Sequence, residues 1–85
     1  MLTKMQKDFL NVRKTKMNLL SRIDTLQSKM TFFLDTENEE EYDKISDVID
    51  SIFEKMFKCI DMFEQCYKTS YDNMETDWLI NDKKF

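Results

Sequence analysis

From Leu2 onward the apolar residues of this chain fall at alternating intervals of three and four. They run Leu2, Met5, Phe9, Val12, Lys16, Leu19, Ile23, Leu26, Met30 and Phe33, with Lys16 the one polar member. A second series, Tyr42, Ile45, Ile49, Ile52, Met56, Cys59, Phe63 and Cys66, keeps the same rhythm. This is the a/d spacing of a heptad repeat, whereas a strand would alternate every second residue. The two tracts predict two long helices, at 3–34 and 38–70.

The seven residues between the tracts, Asp35-Thr36-Glu37-Asn38-Glu39-Glu40-Glu41, are polar and mostly acidic. Thr36 with Glu39, and Asn38 with Glu41, offer capping pairs for the second helix. Its first turn then carries glutamates, where the helix dipole favours negative charge. Thr3 with Gln6 offers the same start for the first helix. A turn at 35–37 is within the connection of about two to five residues that makes long helices antiparallel neighbours. Further on, Thr69-Ser70-Tyr71-Asp72-Asn73 is poor helix material and predicts a break at 69–73. Asp72 or Asn73 would cap a short third helix carrying Met74, Trp78, Leu79 and Ile80; the other reading lets helix two run on. The last residues, 81–85, are expected to fray. The expected fold is one all-α domain over residues 1–85. It is a long antiparallel helical hairpin with a short third C-terminal helix in segment 71–85, assembling into a helical bundle.

Helix two has more apolar surface than one partner helix covers. Beside its a/d seam runs a second stripe, Phe53, Phe57, Ile60, Tyr67, Tyr71, Met74 and Trp78, interrupted only by Glu64. Val48 and Met62 widen the other flank, while helix one offers a partial second face of Leu10, Met17, Leu20 and Leu34. Burying one aromatic side chain contributes about 1.5–3 kcal/mol. A soluble monomer rarely leaves such a patch in water. Three covers are open: the C-terminal segment folding back with Met74 and Trp78 on Phe57 and Ile60, a second copy forming a four-helix bundle, or a helical hetero-partner. The stripe residues are therefore the candidate partner-binding site.

Composition narrows the picture. There is no Gly and no Pro, against averages of about 7% and 5%. Tight hairpins, Gly-rich phosphate loops and nucleophile elbows are thus out of reach. Residues 1–34 hold seven Lys or Arg and two Asp, a net of +5; residues 35–85 hold six Lys and fifteen acids, a net of −9, matching the −4 of the whole chain. A basic helix beside an acidic one makes the hairpin self-complementary, although each exposed pair contributes only about 0–1 kcal/mol. Glu40, Asp47, Glu54 and Asp61 recur at heptad position f. They read as a solvated face, or else as a mimic of nucleic-acid phosphates or a surface for a basic partner.

Chemistry is scarce. With no histidine and two cysteines, the usual general base, Ser-His and Cys-His pairs, Glu-x-x-His diiron ligands and a zinc set are all missing. No enzyme activity, cofactor or metal is expected. Cys59 and Cys66 lie seven apart on one helix, roughly 10 Å, too far to bridge, and read as small core residues. The basic residues of helix one, Lys4, Lys7, Arg13, Lys14, Lys16, Arg22 and Lys29, do not line one face, so no nucleic acid is expected. Lys16 at an a position would snorkel or set register. Phe32-Phe33-Leu34 is as long as any apolar run becomes. No membrane span or secretory leader is expected, and a cytoplasmic location follows.

Two short segments resemble known families. Lys44-Ile45-Ser46-Asp47-Val48-Ile49-Asp50 resembles the Ser-Gln-Glu-Leu-Asp signature of the small helical-hairpin phosphatases that act on sporulation response regulators. Ser46 and Asp50 match and Ile49 is conservative, while Asp47 and Val48 stand in place of the Gln and Glu. That resemblance implies action on a phosphorylated receiver domain, with Asp50 required. Tyr71-Asp72-Asn73-Met74-Glu75 resembles the Tyr-x-x-x-Asp/Glu export signal that follows the helical hairpin of small type VII secretion proteins. Thr36-Glu37-Asn38 stands where that family has its Trp-x-Gly turn. This resemblance implies a secretion partner or targeting factor with Tyr71 and Glu75 exposed on one helical face. The reading the residues themselves support is a non-catalytic protein–protein interaction module, a small adaptor, assembly factor or inhibitor.

Overall fold

The computed structural model describes all 85 residues. It contains three helices and no strand: α1 (Lys4–Asp35), α2 (Glu39–Tyr67) and α3 (Tyr71–Ile80). α1 and α2, 32 and 29 residues long, pack side by side as the expected antiparallel hairpin. At 1.5 Å per residue they measure about 48 and 43 Å, which accounts for a long axis of 52 Å. Neither they nor α3 is long and apolar enough to cross a membrane.

The helix starts follow side-chain chemistry. Thr3 and Gln6 form the reciprocal capping box of α1, each side chain meeting the other's backbone N–H at 2.9–3.1 Å. Asn38 caps α2 through Glu41 N–H, and Glu39, Glu40 and Glu41 fill its first turn, where the dipole favours them. Two cap expectations are corrected. Thr36 does not open α2; it closes α1, its hydroxyl donating to the carbonyls of Phe32 and Phe33. α3 is capped by Ser70, which accepts from Asn73 N–H, so Asp72 and Asn73 already lie inside the helix. The break itself falls at 68–70, because Lys68 turns into the left-handed region and ends α2.

Without glycine the helix ends use other residues. Glu37, Lys68, Asp82 and Lys83 all have positive φ, between 52° and 62°. At the end of α1 the Glu37 and Asn38 N–H groups reach back to Leu34 and Phe33 carbonyls, which places Glu37 where glycine usually sits. The same pair of bonds, Asp82 to Leu79 and Lys83 to Trp78, closes α3. This turn redirects the tail, which does not fray as expected: Phe85 packs on Phe9 and Trp78, with ring centroids 5.6 and 6.4 Å apart.

The core is small and has two centres. Ile23, Ile49 and Ile52, with Leu19, Leu20, Leu26, Met30, Ile45 and Phe53 around them, zip the half of the hairpin nearest the turn. Phe9, Phe63, Tyr71 and Trp78 form an aromatic centre at the other half, where α3 folds back. Phe9 and Tyr71 are completely enclosed. Cys66 is a correction: it is exposed, since α3 packs on the opposite flank of α2 and leaves its d position open, while Cys59 is half-buried.

Candidate interaction face

The expected stripe divides along its length. Tyr71 and Trp78 are buried, and Ile60, Tyr67 and Met74 are half-buried against the same aromatic centre. These five belong to the chain's own core because α3 turns at Lys68 and lies back over the flank that helix two presents. Phe53 rests half-buried on the isoleucine centre. Phe57 stacks on it at 6.0 Å with rings 18° from parallel, yet remains 56% exposed. The C-terminal segment therefore covers the distal part of the stripe and stops short of Phe57.

What marks the limit of that cover is a polar cluster absent from the sequence expectations. Glu75 of α3 accepts from Lys16 Nζ at 2.8 Å and from the Tyr71 hydroxyl at 2.8 Å. Arg13 Nε stands 3.5 Å away without hydrogen-bonding geometry, its guanidinium lying over the Trp78 ring at 4.7 Å. Lys16 also sits 5.2 Å from the Tyr71 ring centre. The polar member of the first heptad tract thus has a specific partner 59 residues away. Burial alone would push the Glu75 carboxyl up, but hydrogen bonds from Lys16 and Tyr71 and the charges of Lys16 and Arg13 outweigh it and hold it below the ordinary range. Burial, then the hydrogen bond to Glu75, pushes the Tyr71 phenol well above its usual value. Tyr71 and Glu75 share one face of α3, and that face turns inward.

Two further bonds tie α3 and the end of α2 in place. The Tyr67 hydroxyl donates to Asp8 of α1, which raises its pKa to about 12, with burial and the Asp8 charge adding to the effect. Glu64, the one polar interruption of the stripe, accepts from Tyr71 N–H at 2.9 Å, satisfying a first-turn donor of α3. A Lys at an a position and a Glu inside an apolar stripe were the signals available. Each demanded a partner that the residue spacing did not identify.

Beyond the Glu75–Lys16 contact, the flank lies open. The aromatic centre pairs Phe9 with Phe63, and the isoleucine centre pairs Ile23 with Ile49 and Ile52. This register sets Met17 and Leu20 of α1 level with Phe57 and Phe53 of α2, and their heptad positions place all four on one side of the hairpin. Met17 is 45% exposed, and Leu20 half-buried. Elsewhere, a cleft of about 260 Å³ between Val12, Cys59, Met62, Phe63, Cys66 and Tyr67 is apolar except for Asp8. A depression of about 620 Å³ at the hairpin turn is lined by Phe33, Leu34 and Tyr42 among acidic and polar residues, remote from α3 and its polar cluster.

No family model, characterised protein or solved structure matches this chain.

Proposed function

We propose that this protein is a non-catalytic interaction module that docks a helical surface, of a partner or of a second copy, against the open flank built from Met17, Leu20, Phe53 and Phe57. The observation that carries the reading is Phe57. It stacks on a neighbour that belongs to the core, so it is held in one place, yet over half of it faces water. A fixed aromatic on a rigid helix is the kind of anchor around which interface energy concentrates. The molecule's area supports this. It exposes 6463 Å², against about 5,400 Å² for a compact protein of its mass. The surplus is comparable to the ~800 Å² that each partner buries in a standard interface.

The test is selection of amphipathic helices of unrestricted charge, displayed as a library, on the full chain. Enriched helices are expected to compete with one another and to lose binding to Phe57→Asp and Leu20→Asp variants. Helices that bind both variants as well as the parent would remove this face from consideration.

A further inference from the structure

The open flank is bordered unequally on its two sides. Along α2, Asp43, Asp47, Asp50, Glu54 and Asp61 fall within one narrow arc next to Phe53 and Phe57, and all five are exposed. Lys44 and Lys55 lie round the far side of the helix by the same phase arithmetic, and Lys58 borders the acidic arc on the edge away from Phe53 and Phe57, forming no ion pair with it. The ion pairs of the structure lie elsewhere: Lys44 with Glu40 and Glu41, and Lys16 and Arg13 with Glu75. Along α1, Arg13 and Lys16 are held on Glu75 at the α3 end of the flank, Lys7 and Lys14 border it without an ion pair, and Ser21, Asp24 and Ser28 continue the border toward the turn. An apolar floor is thus walled by five unpaired carboxylates on one side and by little charge on the other.

From this asymmetry we infer that the occupant of the flank is a cationic amphipathic helix of another protein, its apolar stripe on Met17, Leu20, Phe53 and Phe57 and its Lys or Arg residues along the Asp50–Glu54–Asp61 edge. This rests on the docking function proposed above and specifies the partner. A second copy fits less well. Placed face to face, it would bring the same five carboxylates against Lys7 and Lys14 at best, or against their own image, in a chain already at −4. Like charges across an interface reject a partner as effectively as apolar contacts attract one. A helix is also the right shape. The flank is a face shared by two antiparallel helices, suited to a third helix presenting side chains at i, i+3, i+4 and i+7.

Three synthetic amphipathic helices of about 18 residues, long enough to hold helical structure, separate the outcomes. They share a leucine stripe and carry Lys, Gln or Glu on the polar face, and binding to the full chain is read by fluorescence anisotropy. The Lys peptide is expected to bind about tenfold more tightly than the Gln peptide at low salt. That gap should close as added salt shortens the screening length, and the Glu peptide should not bind. Phe57→Asp is expected to weaken the Lys peptide about tenfold or more, although it adds a negative charge that would strengthen any purely electrostatic association. The triple variant Asp50→Asn, Glu54→Gln, Asp61→Asn should lose the preference for Lys over Gln and keep binding the Gln peptide. Equal binding of Lys and Gln peptides, with both lost in Phe57→Asp, would overturn the charge assignment and leave the docking face standing. A wild-type dimer in light scattering that becomes monomeric in Phe57→Asp would overturn it in favour of a second copy. Binding of none of the peptides, or binding indifferent to Phe57→Asp, would sink the docking reading itself.

Discussion

Phe9 holds the distal half of the molecule together. Its ring meets Phe63, Tyr71, Trp78 and Phe85 with centroids between 5.4 and 6.3 Å, joining all three helices and the tail around one enclosed side chain. Phe9→Ala should cost about 3–5 kcal/mol, a large part of the total for a chain this short. Denaturant unfolding would show the loss, and the tertiary aromatic signal of Trp78 would go with it. Glu75 sets the acid response. Its folded pKa is depressed, so its contribution is present above its ordinary value of 4.5 and is lost as pH falls through the folded value. Stability measured at pH 7 and pH 3 should differ less in Glu75→Gln than in the parent. On the alkaline side the sign reverses. Tyr67 and Tyr71 ionise later folded than unfolded, so stability should hold to about pH 10 and decline toward about 12. At this scale the sequence was partly legible. Lys16 announced itself as the misfit of the first tract, but its carboxylate belongs to a third helix whose path depends on the backbone at Lys68. No periodicity encodes that turn.

Between residue and molecule stand the helix ends, where a chain without glycine pays in backbone strain. A non-glycine residue in the left-handed region costs roughly 1–2 kcal/mol, partly offset by the extra freedom glycine would bring to the unfolded chain. Glu37→Gly and Lys68→Gly should therefore each stabilise by roughly 0.5 kcal/mol, a small rise in midpoint temperature. Ser70→Ala should lower stability by about 1 kcal/mol through loss of the α3 cap. Amide exchange should show that loss concentrated in α3, because a helix of ten residues has little stability of its own. The two heptad tracts named α1 and α2 to within three residues at each end, since one phase of apolar positions runs unbroken through each. The cap assignments fared worse around Thr36 and Ser70. Thr, Ser, Asp and Asn serve either side of a helix end, and only the direction of the chain decides which.

For the whole molecule the governing fact is the mismatch of lengths. α1 and α2 cover each other along one seam, and α3, about a third of their length, covers the second face only as far as Glu75. A radius of gyration of 16.4 Å, against about 12 Å for a compact domain of this length, expresses the same shape. The surplus stripe on helix two was visible in the spacing alone. Its division into a part claimed by the chain and a part left open was not, because that depends on where α3 ends and which way it lies. A paired measurement on Phe57→Asp bears most directly on the docking face: its unfolding free energy, and its affinity for a helix selected against the wild-type chain. Phe57→Asp should lose about 1–2 kcal/mol of stability, the loss expected for a half-exposed ring stacked on Phe53, and should stay folded while losing affinity about tenfold or more. Unchanged binding by a folded Phe57→Asp variant would rule out the docking face, because Phe57 would then serve the fold and not the partner.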